Sequence, residues 1–202
     1  IAPVPSWGKF TASSASAAGM YAFTIADSAV TVDGFSTVSG SDNGIRADTF
    51  SGTGSFSLLH STASGGADNG LLAIAFVGGA SALTVTDCDL AGGNAGLYVR
   101  GFATGGTATI ANTAAEGASK GVHIHDHSGI TVGLANVTAT GTGAAPCGLK
   151  LSSLLASSAV TLTDVVASSA AAQGVWADTV TASTIDFVTS SVTGVTEGAF
   201  FD

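Results

Sequence analysis

Apolar and polar residues alternate along this chain with a period of two, and no stretch carries the spacing of an amphipathic helix. The alternation comes in short runs interrupted by Gly, Ser, Asn and Asp. That pattern predicts many short β-strands joined by tight bends. The runs also recur. A glycine followed by apolar-x-apolar opens GMYAF at Gly19, GIRAD at Gly44, GLLAI at Gly70 and GLYVR at Gly96. The series continues with GVHIH at Gly121, GLKLS at Gly148, GVWAD at Gly174 and GAFFD at Gly198. Successive glycines lie 24 to 27 residues apart. A repeat of that length marks an array in which each unit buries its apolar face against its neighbours.

A second pattern runs inside each repeat: VTVDGFSTV, FSLLHSTA, LTVTDCDL, ATIANTAA, VGLANVTA, VTLTDVVA and IDFVTSSV. Each is an apolar-x-apolar strand, two residues, and another short strand. The second of the two linking residues is Gly34, His60, Asp87, Asn112, Asn136, Asp164 or Thr189. Gly, Asn and Asp tolerate the left-handed backbone of a tight bend, so a bend is predicted at each. Three short strands per repeat, stacked at about 4.8 Å per layer, give a parallel β-solenoid of about eight layers. The glycine-led strand and the Asn-type bend resemble the right-handed parallel β-helix, the pectate-lyase-like superfold, over nearly the whole chain. That resemblance implies the fold. It leaves activity open, because the superfold hosts lyases, hydrolases, adhesins and structural filaments.

The two-residue period sorts positions by face. After each opening glycine the first and third residues are expected inside: Met20/Ala22, Ile45/Ala47, Leu71/Ala73, Leu97/Val99, Val122/Ile124, Leu149/Leu151, Val175/Ala177 and Ala199/Phe201. The outer columns of this first strand read Tyr21, Arg46, Leu72, Tyr98, His123, Lys150, Trp176, Phe200, and Phe23, Asp48, Ile74, Arg100, His125, Ser152, Asp178, Asp202. The second strand's outer column is Thr31, Ser57, Thr84, Thr109, Gly133, Thr161 and Asp186. A threonine column on a flat solenoid raises ice binding as one function, but Gly133 and Asp186 interrupt it.

Composition narrows the partners. Hydrophobic residues make up 46% of the 202 residues but aromatics only 7%, which suits a narrow bore rather than a broad core. The net charge is −9 with five Lys and Arg, which argues against nucleic acid as a partner and against anionic membranes. No apolar run is long enough for a transmembrane helix, so no membrane insertion is expected. The high Ser, Thr and Gly content leans towards an extracellular or cell-surface location.

The first-strand face carries the candidate chemistry. His123, His125 and His127 sit at alternate positions in GVHIHDHSG. Residues two apart on a strand lie about 6.6–6.8 Å apart, so His123 and His125 are the candidate metal pair, with His127 out of reach. Lys150 and Arg100 flank them, so no metal is expected, and no cofactor. Proton abstraction from an anionic sugar needs a base and neutralising cations, and Tyr98, Arg100, His123, His125 and Lys150 are the candidate set for a lyase. The long loops that would build a cleft are missing, and Asp48 and Asp178 lie too many layers apart for a glycosidase. Phe50, Leu72, Ile74, Phe76 and Phe102 are expected on the same side as an apolar patch needing cover. The binding face is therefore expected over Arg46, Leu72, Ile74, Tyr98, Arg100, His123, His125, Lys150 and Trp176, with carbohydrate as a candidate ligand.

Residues 1–202 are expected to form one domain without caps. The chain ends just after a first strand and begins with residues that suit second and third strands. One copy's Phe200 and Phe201 would then meet another's Trp7 and Phe10, giving a head-to-tail filament; the alternative is that the chain is a cut piece of a longer solenoid. The leading expectation is an extracellular structural or adhesive protein that self-assembles. Cys88 and Cys147 are more than two layers apart, so no bond joins them, although Cys147 could pair between chains. Asn136-Val137-Thr138 is a glycosylation sequon on a bend.

Overall fold

The computed structural model describes residues 10–77, 80–102, 104–144 and 146–202. They form a parallel β-solenoid of about seven turns with a repeat of about 26 residues. Every strand pairing is parallel, and each strand pairs with its equivalent one turn away. The first strands make an eight-stranded sheet: Met20–Ala26, Ile45–Ser51, Leu71–Val77, Ala95–Arg100, Lys120–Ser128, Cys147–Leu155, Gln173–Val180 and Glu197–Phe201. Second and third strands build the other faces. In the fourth and fifth turns they run together as Thr107–Gly117 and Thr131–Gly141, across the bends at Asn112 and Asn136.

The register stacks like on like, which is what a repeat requires. Leu97 sits between Leu71 and Val122, and Val99 between Ala73 and Ile124. These ladders fill the bore and are fully buried in the middle turns. At the last turn the same inward positions lose one neighbour. Ala199, Phe201 and Phe187 face the bore yet are exposed.

The opening glycines have a steric cause. A Cβ on Gly70 would lie 2.7 Å from the Ala91 nitrogen and 2.7 Å from the Gly96 carbonyl oxygen, so the first strand can begin there only without a side chain. The seven bends after the second strand, from Gly34 to Thr189, all adopt positive φ.

A further column of positive-φ residues corrects the two-residue reading. It falls five residues after each opening glycine: Thr24, Thr49, Ala75, Gly101, Asp126, Ser153 and Thr179. Each turns the chain by one position, so the next residue goes inward. Phe50 and Phe102, expected on the outer face, are instead buried in the core. His127 and Leu154 follow them in the same internal ladder. The apolar patch therefore shrinks to Leu72 and Ile74, and Leu72 is itself buried between Arg46 and Tyr98. The side chain of Phe76 lies outside the described part.

Inside the turn that precedes the first strand, three asparagines form a ladder. Asn69 donates from its side-chain nitrogen to Asn43 Oδ1 at 2.9 Å, and Asn94 donates to Asn69 Oδ1 at 3.1 Å. Asn43 and Asn69 are buried. Cys88 and Cys147 are both free and buried, and burial pushes the Cys147 thiol up to about 11. Cys147 is thus shielded from a partner chain's thiol.

Candidate functional site

The outer side of the first-strand sheet gathers the residues singled out from the sequence. Tyr98, His123 and Lys150 align across the fourth, fifth and sixth turns, and Arg100, His125 and Ser152 align beside them. The strands hold them about 4.8 Å apart, close to the thickness of stacked rings. Tyr98 accordingly stacks on His123 at 4.6 Å between centroids and 10° between planes. His123 and His125 lie side by side at 5.1 Å and 8°.

A hydrogen-bonded chain crosses the face. The Tyr98 hydroxyl meets His125 Nδ1 at 2.8 Å. His125 Nε2 lies 3.0 Å from Asp126 Oδ1, and Arg100 Nε donates to Asp126 Oδ2 at 2.9 Å. With Nε2–H directed at the carboxylate, Nδ1 accepts the phenol's proton. Asp126 reaches this position because its left-handed bend turns it outward. His123 Nε2 pairs with Ser152 Oγ at 2.9 Å.

Electrostatics keep the imidazoles neutral. Burial, with nearby Lys120, His125 and Lys150, lowers His123 to about 3. Burial also lowers His125, against the pull of Asp126. Burial raises Tyr98, which keeps it a phenol. The cations are occupied. Lys150 lies 3.1 Å from Asp178 and 4.0 Å from the centre of the Trp176 ring. Arg46 pairs with Asp48 at 2.8 Å and lies over Tyr21 at 5.2 Å.

These contacts decide what the face can do. Both nitrogens of His125 and Nε2 of His123 are already engaged, by Tyr98, Asp126 and Ser152, so the pair is not arranged as a chelate. Among the described residues no group of three His, Cys, Asp or Glu could hold a metal ion. Arg46, Arg100 and Lys150 each have a carboxylate partner, so none stands free to neutralise a uronate. The rings of Tyr98 and Trp176 pack on their neighbours along the solenoid axis, which limits stacking on a sugar. A concavity of about 300 Å³ lies beside Arg100, lined by Ile74, Ala75 and Gly101.

The structure brings together Tyr98, Arg100, His123, His125 and Lys150 and leaves Leu72 and Ile74 at their margin. Phe200 lies at the far end of the column, edge-on to Trp176 at 6.4 Å. Trp7 lies outside the described residues, as does the side chain of Phe10. Sequence reasoning missed Asp126 as a partner, and the Asn43–Asn69–Asn94 ladder. The ladder had a signal, since Asp-Asn recurs at Asp42 and Asp68 directly before the opening glycines Gly44 and Gly70. The class of protein defined here is a parallel β-solenoid with a self-satisfied aromatic and histidine face. No protein-family model matches the chain, and comparison with curated proteins and with solved structures finds no match.

Proposed function

We propose that this chain is a non-catalytic structural β-solenoid of the cell exterior, which stacks end to end on further copies of itself. The observation that carries this reading is the register: every turn pairs in parallel with the equivalent strands of the next, so the edge of a turn is a template for the same turn of another copy. Phe201 is 58% exposed and packs edge-on against Phe187 at 6.4 Å, and Val195 is 69% exposed. The strands Thr184–Val188, Ser191–Thr193 and Glu197–Phe201 each pair on one side only among the described residues. Among the described residues Met20–Ala26 likewise pairs on one side, and Phe23 is 60% exposed. A second copy shifted along the axis sets Met20–Ala26 on Glu197–Phe201, parallel like every internal interface. It covers apolar surface and pairs strand edges together.

Sedimentation and electron microscopy test this. Rods of constant width that lengthen with concentration are expected, and Phe201→Asp should shorten them. Monodisperse monomers at high concentration would overturn the reading. A second reading is an anionic-sugar site, supported by the Tyr98 hydroxyl held on His125 Nδ1 as a proton relay, in which a uronate displaces Asp126 from Arg100. Its test is an elimination assay on uronate polymers, in which unsaturated product is formed and then lost in Tyr98→Phe.

A further inference from the structure

Three of the four histidines, and three of the five Lys and Arg residues, fall in the fourth to sixth turns. His127 is the most constrained. It is 1% exposed and lies edge-on to Phe102 at 5.6 Å. Its Nδ1 accepts the Phe102 N–H at 3.2 Å, and its Nε2 lies 3.2 Å from the Val99 carbonyl oxygen. The ring is therefore neutral with its proton on Nε2. A second proton would sit on Nδ1 and point at the Phe102 N–H. Two donors would then face each other in a bore that water does not reach.

No carboxylate is placed to rescue that charge. From its own strand His127 faces His125 and Asp126, and Asp126 is turned outward to Arg100 and His125. From the fourth turn it faces Val99 and Phe102, and from the sixth Leu154 and Ser158. His123 is surrounded by Tyr98 from the fourth turn, Lys120 and His125 from its own strand, and Lys150 and Ser152 from the sixth. His125 has Asp126, Arg100, Lys150 and Asp178 around it.

We propose that the junction between the fourth and fifth turns is an acid-labile seam, where protonation of His127 and His123 loosens the stack before its amino-terminal turns open. Burial is the main cause that lowers both groups, His127 to about 4 and His123 to about 3. A histidine held neutral in the fold stabilises it above the ordinary value near 6.5. That stability is lost as pH falls through the folded value. Each turn touches only its neighbours, so one weakened junction divides the stack.

Hydrogen exchange followed peptide by peptide between about pH 7 and about pH 3, corrected for intrinsic rates, tests the seam. Peptides spanning 95–102 and 120–128 are expected to lose protection at higher pH than those spanning 45–51 and 71–77. Uniform loss, or loss beginning at the amino-terminal turns, would overturn it. In His127→Leu, which copies Leu154 of the next turn, the acid midpoint should fall by about half a pH unit or more. His127→Gln keeps a donor and an acceptor and serves if the leucine variant misfolds. An unchanged midpoint would sink the proposal. His60→Gln is the control, because Asp33 raises that exposed imidazole and gives its contribution the opposite sign.

Discussion

Position 127 occupies the same internal ladder as Phe102 and Leu154, yet it is a histidine, and it is tolerated because both ring nitrogens find backbone partners. Several other buried polar residues are held by pairing of this kind, although the Thr37 and Ser81 hydroxyls are not. The asparagine ladder is the clearest case. Asn69 donates to Asn43 and accepts from Asn94, so removing it strands groups in two neighbouring turns. Asn69→Ala should cost about 2–3 kcal/mol in denaturant unfolding, since buried partners are left unmade. Chemical denaturation followed by circular dichroism measures it, and a loss below about 0.5 kcal/mol would show that the ladder is incidental.

Within a single strand the sequence was legible where the period of two held and misleading where it broke. Gly34, His60, Asp87, Asn112, Asn136, Asp164 and Thr189 were readable as bends because most are residue types that accept positive φ. The second series of bends was hidden. Thr24, Thr49, Ala75, Ser153 and Thr179 carry no such signature, and their conformation is imposed by the turns above and below. Phe50, Phe102 and His127 were placed on the wrong side for that reason. The glycines separate the two kinds of constraint. Gly70→Ala should destabilise by at least about 2 kcal/mol, because its Cβ meets backbone that cannot move aside. Gly133 has open space around it and is not at positive φ. Gly133→Thr should stabilise by about 0.5–1 kcal/mol, by stiffening the unfolded chain and adding a good strand residue. Thermal unfolding of the two variants in parallel checks both, and equal effects would refute the distinction.

Across the whole molecule, stability is a sum over junctions between turns, and function is expected at surfaces where that sum is left incomplete. The proposed stacking of copies would make its new contacts at such a surface. The net charge of −9 makes copies repel one another, so the proposed rods should lengthen as salt is added. Sedimentation across a salt series reads this directly, and rods that dissolve in salt would point instead to contacts carried by ion pairs. The first-strand face behaves differently. Its rings and charges are matched to each other across turns, which makes it a brace along the axis more than an open cleft.

The sequence by itself determined the solenoid, its repeat, its three strands per turn and the residues of the middle ladders. Those features follow from periodicity, and periodicity is a property of the chain read in order. The tertiary structure alone decided which way His127 points, that Asp126 joins Tyr98, His125 and Arg100, and that His123 is held neutral against Ser152. These depend on a bend whose conformation is set by adjacent turns, and on distances across about 4.8 Å of stacking between residues some 26 positions apart. No local pattern in the sequence records either.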